Sequence, residues 1–302
     1  MKHFVSTLVV LLVLGSATTS LAASTMEAKS WEALDKVFGQ TGKVLPGGVH
    51  KYSWPRTDLI VKVGTVRVDP GLALGGWAGF IEMGSDGHVM AMGDLMLLAS
   101  EVNPAIRALE ASGIEITALH NHLLGESPQI MAVHFSGHGE PEKVAQGLIS
   151  ALKKTATPIQ RASVQAAAPT AAETAAFERI QILLGRKGTV AGHVLQIGVA
   201  RAAKIEEDGV EVPPALGMAT PMNFQLSGNQ IATTGDFILV ADEVNPVARE
   251  LESHGIQVTA LHSHMLRETP RLFFMHFWGL DDPARIAEGL KAALGKVAVK
   301  EP

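Results

Sequence analysis

Two copies of one stretch decide the fold of this chain: Thr117-Ala-Leu-His120-Asn-His122-Leu-Leu-Gly-Glu126-Ser-Pro128 and, 142 positions later, Thr259-Ala-Leu-His262-Ser-His264-Met-Leu-Arg-Glu268-Thr-Pro270. Eight of the twelve positions are identical. Eight residues after each glutamate another histidine follows, His134 in the first copy and His276 in the second. Because neutral imidazole is the commonest side-chain ligand of transition metals, the two matched triads predict metal binding.

The repetition extends well beyond the histidines. Gly93-Asp94 matches Gly235-Asp236, and Glu101-Val-Asn-Pro104 matches Glu243-Val-Asn-Pro246. Alternating apolar residues on both sides of each Gly/Arg-Glu-Ser/Thr-Pro turn predict a β-hairpin in each copy. The fold class expected is therefore α+β, with two tandem copies of an antiparallel sheet and helices packed on it.

Helix boundaries can be predicted in both copies at once. Asn103 and Asn245 precede proline, a pattern typical of a helix N-cap, so the first helix is expected over about 104–112. A second helix is expected to begin at Pro141 in the first copy and at Pro283 in the second.

The ends and the joint of the chain suggest four segments. An apolar run followed by Ser20-Leu21-Ala22 resembles a secretory signal peptide over 1–22, so we expect repeat domains at 23–152 and 177–302, joined by an Ala/Thr/Pro-rich linker at 153–176. The apolar run is shorter than the roughly 20 residues of a membrane span. These features predict a periplasmic or secreted protein without a membrane span.

Composition limits the partners and the ligand atoms. The chain has no cysteine, so a metal would be held by nitrogen and oxygen atoms. The formal net charge is −5 and no basic stripe is present, which argues against nucleic acid as a partner. A small ligand of unknown identity and pairing of the two repeats within the chain are the partners expected.

Strand geometry predicts how each triad forms a site. Side chains alternate along a strand, so His120 and His122 should share a face, and a short turn would bring His134 opposite His120. The same holds for His262, His264 and His276. The expectation is one three-histidine site per copy, with both sites meeting at one interface if the repeats form a pseudo-twofold pair. Zinc is the metal predicted first, and copper, iron, manganese and nickel remain alternatives.

The carboxylates leave several roles open. Glu126 and Glu268 could each be a fourth ligand, an orienting group or a catalytic general base. Asp94 and Asp236 recur as well, but we interpret them first as structural residues. Arg56, in an otherwise divergent region, has its counterpart in Arg201, and internal ion pairs are the favoured interpretation for both.

The elements Gly-Asp, Glu-Val-Asn-Pro, Thr-Ala-Leu-His-x-His-x-Leu-x-Glu-x-Pro and His-Phe, each present twice, resemble the LppY/LpqO family of exported bacterial proteins, a domain of unknown function. The resemblance covers nearly the whole chain after residue 22 and implies export, but it implies no particular activity. The spacing His-x-His-x3-Glu also resembles the cupin metal motif, although in cupins the later histidine lies much further downstream.

Four functions follow from these patterns. The protein could be a non-catalytic metal-binding protein of the envelope, a zinc-dependent hydrolase with Glu126 or Glu268 as general base, or a cupin-like metal-dependent oxidoreductase. In the fourth, the histidines never bind a metal and the chain is a structural or ligand-binding double domain.

Overall fold

The structure is a computed structural model, and it describes residues 31–84, 86–159 and 167–301. The predicted signal peptide and part of the predicted linker lie outside the described residues. Within the described ranges, no helix is long and apolar enough to span a membrane.

The first repeat contains one six-stranded antiparallel sheet, in the order β1-β2-β5-β6-β9-β7, and one small three-stranded sheet, in the order β4-β3-β8. Its elements in chain order are α1 (31–38, from where the described chain begins), β1 (Lys43–Leu45), β2 (Val49–Pro55), β3 (Lys62–Val63), β4 (Val66–Arg67), α2 (Pro70–Ala73), β5 (Gly75–Met83), β6 (His88–Leu98), α3 (Ala99–Glu110), β7 (Glu115–Asn121), β8 (Glu126–Ser127), β9 (Ile130–Gly139) and α4 (Pro141–Leu152).

The second repeat has the same plan, with sheets in the orders β10-β11-β14-β15-β18-β16 and β13-β12-β17. Its elements are α5 (Ala171–Leu184), β10 (Thr189–Ala191), β11 (Val194–Ala200), β12 (Glu206–Glu207), β13 (Val210–Glu211), a 3-10 turn (Pro214–Leu216), β14 (Ala219–Ser227), β15 (Gln230–Leu239), α6 (Ala241–Ser253), β16 (Gln257–His262), β17 (Glu268–Thr269), β18 (Phe273–Asp281) and α7 (Pro283–Leu294). The predicted α+β class with two tandem antiparallel sheets is confirmed. Helix α5 begins inside the segment 153–176.

Each large sheet buries one face under its own helices. In the first repeat, Leu95 and Phe135 on the sheet pack with Leu109 and Leu148 of the helices. The second repeat repeats this arrangement with Phe237, Phe277 and the apolar side of α5, α6 and α7. Because strand side chains alternate, the intervening residues project from the opposite face of each sheet.

That opposite face packs against the other repeat. Met90 and Met92 of β6 share a buried cluster with Leu216 and Phe274 of the second repeat. In a second cluster, the large sheet of the second repeat contributes Val194, Ala232 and Trp278, and they pack against Leu72 and its neighbours around α2 of the first repeat. Each repeat therefore completes the core of the other.

Helix α3 begins earlier than the sequence pattern predicts. The prediction that Asn103 and Asn245 are N-caps is wrong, because helices α3 and α6 start at Ala99 and Ala241. At the third position of each helix a glutamate reaches back to a backbone amide, as Glu101 does to Leu98 N at 2.8 Å. This bond satisfies an amide that the first turn leaves free, so the helix can begin before the proline.

The same two glutamates fix the buried arginines. The Arg56 guanidinium lies 2.6 Å from Glu101 Oε2 and also contacts Asp58. Arg201 contacts Glu243 at 2.6 Å in the equivalent place. The structure thus gives both arginines the internal ion pairs that the sequence favoured.

Candidate metal centre

The six histidines of the two triads form one cluster between the repeats. The rings of His120 and His262 stack with centroids 3.4 Å apart. Two further pairs also cross the repeat boundary: His134 with His264 at 3.9 Å, and His122 with His276 at 4.2 Å. Exchanging the repeats maps these pairs onto one another, so the cluster has pseudo-twofold symmetry about the central stack.

The strand register that produces the cluster differs from the predicted one. His134 faces Ala118 and His120 faces Ala132 in the pairing of β7 and β9. The predicted placement of His120 roughly opposite His134 is therefore off by two residues. The two rings are diagonal neighbours on one face, with centroids 5.0 Å apart, which is still close enough to share an ion.

Main-chain carbonyls set the orientation of four rings. The Nδ1 atom of His120 lies 3.0 Å from the carbonyl of Asn121, and that of His262 lies 3.3 Å from the carbonyl of Ser263. The Nδ1 atom of His276 lies 2.9 Å from the carbonyl of Gly235. The ring of His134 likewise bonds the Gly93 main chain. A neutral imidazole that donates from Nδ1 carries its lone pair on Nε2, which is the arrangement usual in metal-ligating histidines.

All six Nε2 atoms are buried. Those of His122 and His264 face an aspartate oxygen, at 3.3 and 2.9 Å, whereas the other four form no hydrogen bond to a described residue. One carboxylate oxygen, Oδ1, of Asp94 and of Asp236 is also buried without a hydrogen bond. A buried polar atom without a partner costs about 1–3 kcal/mol, so six such atoms in one place require an explanation. A cation coordinated by these atoms would satisfy them.

The distances allow metal coordination from both repeats. The ligand atoms of His120, His122 and His134 all lie within 4.8 Å of one another. The ligand atoms of His262, His264, His276 and His120 form a second group, and these also lie within 4.8 Å of one another. The cluster could therefore hold a metal ion, and the two predicted sites adjoin one another.

Asp94 and Asp236 are the carboxylates beside the rings. Asp94 Oδ2 lies 3.3 Å from His122 Nε2 and 3.8 Å from His134 Nε2. Asp236 Oδ2 lies 2.9 Å from His264 Nε2 and 3.8 Å from His276 Nε2. Their position follows from the sheet, since Asp94 is paired with His134 across β6 and β9, and Asp236 with His276 across β15 and β18.

The sequence interpretation of these aspartates as structural missed this contact. The signal was present in the repeated Gly-Asp dipeptide. Its glycine is required by packing, because a side chain at Gly93 or Gly235 would run into the carbonyl oxygen of a neighbouring strand and a phenylalanine ring. The aspartate that follows then faces the histidines.

Burial favours the neutral form of the imidazoles in the cluster. Burial and, to a smaller extent, nearby imidazoles lower the pKa of His120 to about 3 and that of His262 to about 2. The pKa values of His134, His264 and His276 are lowered chiefly by burial as well. Neutral imidazole is the form that binds metals.

The pKa values of the two aspartates shift in opposite directions. Burial alone would raise the pKa of Asp94, but the imidazoles of His134, His122 and His120 together bring it below its ordinary value. Burial and the negative charge of Asp94 raise the pKa of Asp236. Two carboxylates in one buried site repel each other, so without a cation one of the pair is expected to hold a proton.

Glu126 and Glu268 lie in the hairpin turns rather than among the rings. Glu126 Oε1 accepts from the backbone amide of Ile130 at 3.3 Å, and Glu268 Oε1 accepts from that of Leu272 at 3.0 Å. Neither belongs to the groups of closely spaced ligand atoms among the described residues. Their roles as ligand or general base remain predictions.

The cluster opens into a cleft of about 380 Å³ lined by both repeats. His122, His134, His264 and His276 reach it, together with both aspartates. Lys51 and Trp77 form part of its wall, with the ammonium nitrogen 3.8 Å from the centre of the indole ring. Burial lowers the pKa of Lys51 to about 8, against the opposing attraction of Asp94. A ligand in this cleft would lie directly beside the histidines.

Hydrogen bonds lock the repeats together next to the cluster. Asn121 Nδ2 donates to the Thr259 carbonyl at 3.0 Å, and Thr259 Oγ1 donates to the His122 carbonyl at 2.6 Å. On the other side, Asn223 Nδ2 donates to the Leu72 carbonyl at 2.9 Å. These bonds hold the two triads in a fixed relation.

Comparisons with known proteins give little information about function. No curated protein matches the chain. Two solved structures align over most of it. The trimeric bacterial microcompartment shell protein PduB is 13% identical, with 83% of this chain and 87% of that chain covered and a TM-score of 0.20. EtuB from Clostridium kluyveri is 10% identical, with 84% of this chain and 88% of that chain covered and a TM-score of 0.21. Scores this low support no inference from either protein.

The family model described as Domain of Unknown Function (DUF1259) matches the chain twice, over residues 32–154 and 178–296. The two matches correspond to the two repeats, and together they cover most of the chain. The protein is therefore a member of this family, with two copies of its domain.

Proposed function

We propose that the protein binds divalent transition-metal ions in the six-histidine cluster, with zinc as the preferred ion. The observation that carries the proposal is the convergence between the repeats of six buried Nε2 atoms and two buried aspartates, with four of the Nε2 atoms and two Oδ1 atoms making no hydrogen bond to a described residue. Without a cation, these six unbonded atoms would carry the penalty of desolvation.

The donor set fits such an ion in its chemistry. Neutral imidazole and carboxylate oxygen are ligands of borderline metals such as zinc, copper, iron and nickel, and zinc accepts mixed nitrogen and oxygen ligands without a demand for a particular geometry from its d electrons. The carbonyl bonds to Nδ1 orient the lone pairs toward the cluster. Zinc is preferred because it fits a cysteine-free set of imidazole ligands. The other metals, manganese included, remain candidates.

We propose two ions, one for each triad. The first would be held by His120, His122 and His134, and the second by His262, His264 and His276. Asp94 and Asp236 would supply either a further ligand or the charge that orients and balances the imidazoles. The repetition of every ligand supports a stoichiometry of two.

We further propose that the protein belongs among the exported LppY/LpqO proteins, with residues 1–22 as a signal peptide, domains at 23–152 and 177–302, and a linker at 153–176. The repeated motifs support this assignment. N-terminal sequencing of the protein recovered from the periplasm or the medium would test it, with Ala23 as the expected first residue.

Elemental analysis tests the metal proposal. The mature protein, purified without an affinity tag or chelator, is expected to contain about two equivalents of one transition metal. The variant His120→Ala/His262→Ala should lose most of it. The matched control, His88→Ala/His138→Ala, removes two histidines outside the cluster and should retain the metal. A folded wild-type protein that stays free of metal after reconstitution would contradict the proposal.

The open cleft favours one second candidate, a metal-dependent hydrolase. Structural zinc sites are closed, whereas catalytic sites leave a position accessible to water and substrate. A zinc ion there would polarise a substrate carbonyl or phosphoryl group and lower the pKa of a bound water. Asp94 is better placed than Glu126 or Glu268 to accept a proton, because it lies beside the rings and lines the cleft.

A panel of ester, amide and phosphoester substrates tests this candidate on the metal-loaded protein. Assayed at saturating metal, the Asp94→Asn variant should lose at least tenfold in rate, whereas Glu126→Gln should retain activity. Loss in Glu126→Gln alone would restore the glutamate as general base. Metal-dependent oxygen consumption in place of hydrolysis would indicate the cupin-like oxidoreductase instead.

A further inference from the structure

The cleft above the histidines is symmetric in its backbone but not in its side chains. Lys51 of β2 pairs with Gly79 of β5, and Gln196 of β11 pairs with Asn223 of β14 at the corresponding point of the second sheet. Both line the cleft. A lysine therefore stands on one wall where the pseudo-twofold partner is an uncharged amide.

Lys51 is attracted by Asp94 but forms no ion pair within the described part of the chain. Among the described residues, no acidic side chain lies at ion-pair distance from its ammonium group, whose close neighbour is the Trp77 ring at 3.8 Å. The ring attracts the ammonium group through its π face and holds it at the edge of the cleft. A lysine that is only partly exposed and has no carboxylate partner is an available donor of charged hydrogen bonds.

The opposite wall has no comparable donor to offer. Gln196 Nε2 donates to the Gly71 carbonyl at 3.1 Å, and Asn223 Nδ2 donates to the Leu72 carbonyl. Both amides are thus occupied in holding α2 against the second repeat. Among the described side chains that line the cleft, Lys51 is the one lysine or arginine.

We propose that Lys51 and the metal-facing wall of this cleft form a binding site for a small oxyanion, a carboxylate or phosphate group of the ligand. The inference rests on the proposed function, because the metal would bind a second donor of the same ligand. The volume of about 380 Å³ fits a small molecule, being near the lower end of ligand pockets, which span about 300–1,000 Å³. Trp77 acts as a positioning residue for the ammonium group.

Isothermal titration with inorganic phosphate and with malonate tests the site, using metal-loaded and metal-free protein in parallel. The two probes distinguish a phosphate from a carboxylate source. The variants are Lys51→Gln, which copies the side chain of the other wall, Lys51→Arg, which keeps the charge, and the surface control Lys62→Gln. Metal content and the unfolding midpoint are measured on every sample.

For the metal-loaded protein, we expect Lys51→Gln to weaken binding of the preferred anion at least tenfold, which corresponds to about 1.4 kcal/mol. Lys51→Arg should remain within about threefold of wild type, and Lys62→Gln should be unchanged. Equal affinity in wild type and Lys51→Gln, or no binding of either anion at millimolar concentration, would overturn the site.

The metal-free arm separates this inference from the proposed function. If the protein takes up no metal but still binds an anion in a Lys51-dependent manner, the oxyanion site holds and the metal proposal fails. If metal binds normally and the anion affinity is the same in wild type and Lys51→Gln, the metal proposal holds and the oxyanion site fails.

Discussion

The double variant His120→Leu/His262→Leu replaces the central histidine pair. It separates the destabilisation caused by the buried polar rings from the stabilisation expected when they bind a metal. The two rings stack at the centre, and both Nε2 atoms are buried without a hydrogen-bond partner among the described residues. Leucine has a similar volume and no polar atom. We therefore expect the double variant to be more stable than wild type in the absence of metal, and to gain less stability when metal is added.

The magnitude follows from the hydrogen bonds of each ring. Removing a buried, unpartnered Nε2 relieves about 1–3 kcal/mol, and losing the Nδ1 bond to the Asn121 or Ser263 carbonyl costs about 0.5–1.5 kcal/mol. The net gain is about 1 kcal/mol for each ring, or about 2 kcal/mol for the pair. In wild type, metal at about 100 times its dissociation constant should add about 2.7 kcal/mol for each site.

Urea unfolding in EDTA and in excess zinc measures both effects. The variant should unfold at higher urea than wild type in EDTA and show little response to zinc, whereas wild type should shift strongly upward. A matched pair, His88→Leu/His138→Leu, should change neither response. A double variant that is clearly less stable than wild type in EDTA would refute the reasoning, since it would mean that the histidines stabilise the fold without a metal.

Two further perturbations test the frame around the site. Gly235→Ala drives a methyl group into the Pro221 carbonyl oxygen and should cost about 3 kcal/mol or more in denaturant unfolding, whereas Gly198→Ala, which meets its nearest neighbour at an ordinary 3.8 Å, should stay within about 1 kcal/mol of wild type. Hydrogen bonds to Arg201 and to backbone amides lower the pKa of Glu243, although burial opposes this shift. The ionised carboxylate should therefore stabilise the folded protein at pH values above 4.5, its ordinary pKa, and this stabilisation should disappear as the pH falls below that value. Glu243→Gln should lower the unfolding free energy at pH 7 and flatten its decline between about pH 5 and pH 3; an unchanged slope would contradict the role of this carboxylate.

The sequence predicted the fold class because the strand alternation, the helix start signals and the duplication all indicated the same arrangement. The hairpin on either side of Glu126, the helices beginning at Pro141 and Pro283, and the duplication itself all appear in the structure. The histidines could be selected because the hairpin pattern places three imidazoles on one face in each copy, and each would need a partner if buried. The candidate residues of the site were therefore accessible from the sequence.

The arrangement of the site was less accessible. The pairing of His120 with Ala132 depends on the geometry of the connection between β7 and β9, which the residue types did not predict to the residue. The stacking of His120 on His262 depends on how two sheets pack, which involves residues far apart in the chain. Asp94 meets its histidine only across neighbouring strands, so linear spacing did not reveal it.

The contrast between Lys51 and Gln196 has a consequence for the covalent joining of the repeats. A symmetric dimer of identical chains must present the same side chain on both walls of a cleft that contains its twofold axis. In this protein the two halves belong to one chain, so each wall can change independently while the paired histidines beneath stay matched. Tandem duplication thereby permits a directional cleft, one that can distinguish the two ends of a ligand, over a symmetric floor of paired histidines.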